Sequence, residues 1–444
     1  MSKRARYYGV LAWSVGAVWL GMGSALAFIG AAPGYPQEAV PGQVVLKLKP
    51  TKENDRLVEV VQDLAIALHA KSSIRVKRFQ TNSHFATLKV LPDQTAEAIR
   101  LLGQDSRVEY AEANYIYHAL EGSDQPPNDQ WVQKLWAMQN SGQADESGQQ
   151  GISGKDIHIV PVWNEGIHGS ATVKVAVIDT GIDLHHPDLV QNLIPGFNFY
   201  DPTADANDDH NHGSHCAGVI GAVGNNHIGI AGINWDVGLM PLKFLDENGS
   251  GSLDVAVQAI QYATQAHVKI MSNSWGGGAF SQALYDAIEE ARQQGILFVA
   301  AAGNSSQDHD QAQSYPASFA LDNVIAVAAT NNRDELASFS DFGKTTVHLA
   351  APGVNIFSTG KQGLYLNMSG TSMAAPHVSG IAALLWSVHP EYTYLQIKNT
   401  LIETSDPVRG LKQKVISGGR VNVFNAIHGL RHSFVEPHSI YDKI

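Results

Sequence analysis

Val173-Lys174-Val175-Ala176-Val177-Ile178-Asp179-Thr180-Gly181 is an apolar run, interrupted once by Lys174, that ends on a carboxylate and a glycine. Residues 239–245, 268–273, 296–302, 324–329 and 347–351 are similar, each largely apolar. Apolar runs of this length suit strands buried on both faces of a parallel sheet. Helical stretches lie between them at 212–221, 254–265 and 282–294, and a long one at 372–388 follows the last run. Strand–helix alternation predicts an α/β fold over residues 119–430, a doubly wound and mostly parallel sheet. Its ligand site belongs at the carboxyl ends of the strands.

Upstream, residues 42–118 read differently. A strand at 43–49 precedes a helix at 56–70, where Leu57, Val60, Val61, Leu64, Ala65 and Leu68 fall at helical spacing. Strands at 74–79 and 85–90, a helix at 95–102 and a strand at 108–117 complete a βαββαβ order, the α+β ferredoxin-like split motif of a small binding or folding module. Residues 28–41, rich in Pro and Gly, read as a linker. Lys3, Arg4 and Arg6, an apolar stretch over 9–22 and Ala25-Leu26-Ala27 read as a signal peptide over 1–27. An uncleaved anchor helix is the alternative, although the stretch is short for a span. The expectation is an exported protein, extracellular or periplasmic, with no membrane attachment after signal cleavage. Residues 431–444 form a C-terminal tail.

The chain has 444 residues, 44% hydrophobic and 16% charged, which is a globular composition. Its formal net charge of −12 argues against nucleic acid and anionic membranes as partners, because counterion release needs a basic surface. Cys216 is the single cysteine, which excludes an intrachain disulfide and any CxxC zinc pattern. Stability then rests on a large core and on bound ions.

Polar residues stand where chemistry would be placed. Asp179 closes its strand. His212 opens a helix in His-Gly-Ser-His-Cys-Ala-Gly, and Ser372 opens another in Gly-Thr-Ser-Met-Ala-Ala-Pro-His over 370–377. A serine hydroxyl needs a base to become a nucleophile, and the base needs an orienting acid. Asn304, in Ala-Ala-Gly-Asn after another strand, can donate to a developing oxyanion, as can the Ser372 N–H at a helix N-terminus. Ser274-Trp275-Gly276-Gly277 exposes backbone on which an extended peptide could add as a strand, and Gly249-Ser250-Gly251 offers a second such edge. Each residue alone has a structural reading: Asp179 as a salt-bridge partner, His212 as a core histidine or a zinc ligand with His215, Ser372 as an N-cap. His377 reads as structural, and the Asn304 and Asn367 glycosylation patterns as chance.

Together, regions 173–189, 212–218, 300–304 and 370–377 resemble subtilisin-like serine proteases, peptidase family S8. The cysteine after His-Gly-Ser-His is similar to the thermitase and proteinase K side. The Asp–His–Ser order and the asparagine oxyanion donor are the established pattern of subtilisin itself. The resemblance implies a secreted serine endopeptidase with Asp179, His212, Ser372 and Asn304 as its catalytic set. Ser274, Trp275 and Gly276 with Ala301, Ala302 and Gly303 would line the substrate cleft, whose side-chain preference would be broad or hydrophobic. Residues 42–118 resemble the family's propeptide, an intramolecular chaperone and inhibitor. Its closing strand would be Val108-Glu109-Tyr110-Ala111-Glu112, and Pro127-Asn128-Asp129 with Trp136 would begin the mature enzyme. A self-inhibited zymogen cut by itself between about Tyr117 and Pro127 follows from the resemblance. So do polypeptide substrates, the chain's own propeptide as inhibitor, and a monomer. Structural calcium is implied at Asp188 and Asn226, with Gly224, Ile228 and Ile230 of the same loop and with Asp129. Asp201, Asp205, Asp208 and Asp209 are either a second site or a solvated acidic loop. Ser214 and Ala375 replace the commoner threonines. Two other functions compete with this reading. One is a catalytically dead peptide-binding scaffold; the other is a serine-carboxyl peptidase with Glu as base, which His212 disfavours.

Overall fold

The structure is a computed structural model that describes residues 39–49, 57–76, 78–82, 85–115 and 126–430. The signal peptide, most of the linker, the segment of the expected maturation cut and the C-terminal tail lie outside the described residues. The chain divides into two compact units, residues 1–121 and 122–444. No described helix is long and apolar enough to cross a membrane.

The first unit contains β1 (Ala39–Leu48), α1 (Leu57–Ser72), β2 (Arg78–Asn82), β3 (Phe85–Lys89), α2 (Thr95–Leu102) and β4 (Val108–Tyr115). Its sheet runs β2-β3-β1-β4, with every pairing antiparallel. Val44, Leu46 and Leu88 from the strands meet Val61, Leu64, Leu68, Ala98 and Leu102 from the helices in one core. The strand expected at 74–79 begins later. Ile74 is 1% exposed and joins that core from a segment outside any helix or strand.

The second unit begins with α3 (Val160–Asn164), β5 (Gly169–Asp179), β6 (Phe197–Asn198), α4 (His212–Gly221), β7 (Asp236–Lys243), α5 (Leu253–Gln265), β8 (Ile270–Asn273), α6 (Gln282–Gln293) and β9 (Leu297–Ala301). It continues through β10 (Val324–Thr330), β11 (Leu349–Pro352), β12 (Ile356–Thr359), β13 (Tyr365–Met368), α7 (Thr371–Val388), α8 (Tyr394–Glu403), β14 (Asp406–Pro407), β15 (Gly419–Arg420) and α9 (Val423–His428). The nine-stranded sheet runs β14-β15-β11-β10-β9-β8-β5-β7-β6 and is parallel except at β14–β15.

Alternate residues of each central strand face opposite layers. Val175 and Val177 pack with α4 and α7, whereas Ala176 and Ile178 pack with α5 and α6. Both faces are therefore buried, and the strand runs are apolar throughout. α7 crosses the centre with Val378, Ile381, Leu384 and Leu385 at 0% exposure, each contributing about 1.5–3 kcal/mol.

β5 lies between β7 and β8. The chain leaves β5 through α4 to β7, then returns through α5 to β8 on the other side. This is the switch point of a doubly wound sheet, and it opens a crevice beyond the carboxyl end of β5. The hairpin β12–β13, which the sequence pattern did not reveal, packs on α4. His215 Nε2 meets the Ile356 carbonyl at 2.8 Å, and the Ser358 and Thr359 hydroxyls donate to the His215 and Ser214 carbonyls.

Candidate active site

Asp179 is the last residue of β5 and fully buried. Its Oδ1 accepts from the Thr180 N–H at 2.7 Å and meets His212 Nδ1 at 2.7 Å. Because a carboxylate only accepts, His212 Nδ1 carries the hydrogen, and Nε2 is left as the basic nitrogen. Burial works against the imidazolium, but the Asp179 charge and hydrogen bond, with the Asp208 charge behind them, raise the His212 pKa above its ordinary value.

The helix that carries His212 is held at its first turn. The Gly213 N–H donates to Thr180 Oγ1 at 2.9 Å, and the Ser214 N–H to Asp208 Oδ2 at 2.9 Å. A Cβ at Gly213 would collide with the Gly181 carbonyl, so only glycine lets this turn sit against the strand end. Asp208 is 2% exposed and supplies the negative charge that a helix N-terminus favours. Its remaining acceptor capacity goes to the Thr180 and Ser214 hydroxyls and to the His210 and Asn211 N–H groups. Of the four acids read as either a second site or a solvated loop, Asp201, Asp205 and Asp209 are exposed and Asp208 is buried. Asp208 anchors α4, Asp209 pairs with Lys243 at 2.8 Å, Asp201 turns onto Thr203, and the four carboxylates do not gather at one point.

Ser372 is the second residue of α7, preceded by Gly370 and Thr371. No carbonyl within the helix can take its N–H, which lies in the first turn. A Cβ at Gly370 would stand 3.5 Å from both the Ser372 nitrogen and Asn304 Nδ2, so the missing side chain leaves open the space between two donors. Thr371 decides how the Asn304 amide is turned. Its N–H and hydroxyl both donate to Asn304 Oδ1, at 2.9 and 3.0 Å, which leaves Nδ2 to face outward. Sequence reasoning missed Thr371; its signal was only its place beside Ser372.

The Ser372 carbonyl has lost its ordinary helical partner, because residue 376 is proline and has no N–H. Two side chains replace it: the Ser274 hydroxyl at 2.8 Å and the Cys216 thiol at 3.4 Å. In return, the Ser372 hydroxyl donates to the Ser274 carbonyl at 2.9 Å and not to His212. The Cys216 sulfur lies within 4.8 Å of the facing Asp179 and His212 atoms. Its burial and the Asp179 charge push the thiol pKa well up, so it is a poor nucleophile.

Ser274, Trp275 and Gly276 continue from β8, and Ala301 ends the neighbouring β9, with Ala302 and Gly303 following it. The Gly277 N–H donates to the Tyr315 carbonyl at 3.1 Å, and Gly276 is exposed. Trp275 packs edge-on to Phe244, with ring centroids 4.9 Å apart. The 249–251 edge is a turn in which the Asp246 N–H donates to the Ser250 carbonyl at 2.8 Å.

The subtilase family model matches residues 170–425, more than half of the chain. A thermophilic serine proteinase of Bacillus sp. (strain AK1) is 35% identical over 389 residues, 87% of this chain and 88% of that protein. Thermitase of Thermoactinomyces vulgaris is 38% identical over 57% of this chain and 88% of its own length. Subtilisin DY of Bacillus licheniformis is 39% identical over 55% and 87%. The chain belongs to the subtilase family.

This subtilase is accordingly a serine-type endopeptidase with the α/β subtilisin fold. The AK1 match is longer than residues 122–444, so the likeness to that proteinase extends into the N-terminal unit.

One more group of predicted residues comes together away from the cleft. Asp188 is 0% and Asp129 3% exposed. Asp188 accepts from the Ile230 N–H and the Asn226 amide, each at 2.8 Å, and from the Tyr365 hydroxyl at 3.2 Å. Asp129 accepts from the Asn225 and Asn226 N–H groups at 2.8 and 3.3 Å. Burial pushes the Asp188 pKa up to about 6, with Asp129 adding repulsion, and burial raises Asp129 as well. Two buried carboxylates from distant parts of the chain thus bond to one loop, residues 224–230. Gly224 and Ile228 lie on the same loop, where Asn225, His227 and Gly229 take φ of 58, 65 and 48°. The Asn226 oxygen, expected to face the ion, accepts from the Ile228 N–H at 2.7 Å. Tyr365 was not foreseen here.

Proposed function

We propose that this subtilase is a secreted endopeptidase made as a self-inhibited zymogen, with its N-terminal unit as the inhibitor and autocleavage as the maturation step. The catalytic part rests on one observation: His212, bonded to Asp179 at 2.7 Å, shares the crevice with a serine whose N–H and neighbouring Asn304 border one open space. A polypeptide adds along Ser274–Gly276, and the side chain preceding the scissile bond enters between that edge and Ala301–Gly303. The amide N–H of that residue takes the Ser274 carbonyl as the Ser372 hydroxyl leaves it.

Ser372 Oγ then turns to His212 Nε2, gives up its proton and bonds to the carbonyl carbon. Asp179 holds the imidazole tautomer and stabilises the imidazolium. The carbonyl oxygen becomes an anion between Asn304 Nδ2 and the Ser372 N–H. His212 passes the proton to the departing amine, leaving an acyl-enzyme, which water cleaves by the same steps in reverse. Calcium bound at Asp129, Asp188 and the 224–230 loop would supply charge neutralisation and stability, outside the chemistry.

A fluorophosphonate probe tests the nucleophile. The matured protein should be labelled at Ser372 only, and Ser372→Ala should lose both label and peptidase activity. Labelling at another residue, or activity that survives the substitution, refutes the reading.

A further inference from the structure

Asn304 lies in the loop leaving β9, outside any helix or strand, and α7 reaches this loop through Thr371, which bonds the Asn304 side chain and the Gly303 N–H. A donor in such a loop needs an external anchor. Asp341 is 2% exposed and stands directly behind it. The Asp341 N–H donates to the Gly303 carbonyl at 2.8 Å. Its Oδ1 accepts from the Ser305 N–H at 2.8 Å and the Gln307 N–H at 2.9 Å. The backbone is thus bonded to one residue immediately before and immediately after Asn304.

Asp341 Oδ2 meets His309 Nε2 at 3.2 Å, and His309 is 1% exposed. His309 Nδ1 meets Ser318 Oγ at 3.2 Å, and that hydroxyl accepts from the Ser314 N–H at 3.0 Å. Gly303 takes φ +125°, and a Cβ there would collide with Asp341 Oδ2, so the carboxylate sits against the bare backbone beside the donor.

We propose that Asp341, braced by His309, is a positioning residue that sets Asn304 for the oxyanion. This rests on the role given to Asn304 above. Burying a carboxylate is unfavourable unless hydrogen bonds replace its water, and here the replacements include the Ser305 and Gln307 amides just after the donor. Thr371 fixes the Asn304 side chain, and Asp341 fixes the backbone beneath it. Asp341 touches no reacting atom, so its effect on the oxyanion runs through the loop that carries Asn304. A misplacement of about 1 Å can cost on the order of 10²-fold in rate. Loss of a whole oxyanion donor, on the order of 10²–10³ in kcat, is the ceiling.

The test is a double-mutant cycle on the matured enzyme with a chromogenic peptide substrate, reading kcat and KM separately. Asp341→Ala should lower kcat about tenfold or more, up to that ceiling, with KM nearly unchanged. Asp341→Asn, which keeps the oxygen that accepts from Ser305 and Gln307, should restore most of kcat. In the Asn304→Leu background, Asp341→Ala should cost nothing further. If Asn304→Leu itself leaves kcat unchanged, the oxyanion reading fails and this one with it. If Asn304→Leu lowers kcat, but Asp341→Ala has no effect or the same effect in both backgrounds, the positioning role alone is overturned. Should the alanine variant not fold, Asp341→Ser, too short to reach both amides, is judged by the same criteria.

Discussion

Replacing Asp208 by asparagine puts the anchoring of α4 to a quantitative test. Oδ1 accepts from the Thr180 hydroxyl and the His210 and Asn211 N–H groups at 2.9, 2.8 and 3.1 Å. Oδ2 accepts from the Ser214 N–H and hydroxyl at 2.9 and 2.6 Å. An asparagine oxygen can keep the first set. Its NH2 then faces the buried Ser214 N–H, donor against donor. The orphaned N–H costs about 1–3 kcal/mol. The missing charge at the helix N-terminus costs about 0.3–1 kcal/mol more. For a domain of more than 300 residues, with an unfolding entropy of about 2.1 cal/mol/K per residue, the unfolding midpoint should drop by about 2–6 °C.

The same substitution moves the acid limb of activity. Asp208 is one of the charges that raise the His212 pKa, and the base works only when neutral. Removing that charge lowers the pKa, so kcat/KM should persist to lower pH. The midpoint is measured by calorimetry on matured protein blocked with a fluorophosphonate, with calcium and with chelator. The limb comes from kcat/KM against pH. An unchanged midpoint, a loss seen only with calcium, or a limb moving to higher pH would each refute the reasoning.

Ser372→Ala and His212→Ala should each remove nearly all activity and the pair little more, as in subtilisin, where the loss is about 10⁶-fold; additive kinetics would show that they do not act as a unit. Purified Ser372→Ala precursor should keep its N-terminal unit on a gel, and processing without another protease would disprove self-cleavage. Chelation should lower the unfolding temperature, and Asp188→Ala should erase most of that difference, because an ion held only by the folded state stabilises it; equal melting with and without chelator removes calcium from the account. Cys216→Ala should stay active, be modestly less stable and ignore mercurials, which in the parent would bind beside His212 and inhibit. An inactive but folded Cys216→Ala, or mercury inhibition that survives it, would contradict the packing of this thiol.

The architecture was legible because its signals are local. An unbroken apolar run means burial on both faces, and the residue that breaks it marks a strand end; Asp179, Ser274 and Ala302 stand at or just past such ends. Helical spacing located α4, α5, α6 and α7 to within a residue. The β12–β13 hairpin escaped notice because its four-residue strands carry too few residues for a period. The same limit blurred the roles of individual acids. Asp201, Asp205, Asp208 and Asp209 look alike along the chain, yet Asp208 alone meets the first turn of α4. Asp341 gave no signal, since its partners lie more than 30 residues away across a loop. Thr371 and the Ser274–Cys216 pair at the Ser372 carbonyl were equally silent. Which residue types could do chemistry, and on which rim of the sheet, followed from the order of residues. Which oxygen met which N–H was decided only when distant segments packed, because a hydrogen bond acts over about 3 Å of space and takes no account of separation along the chain.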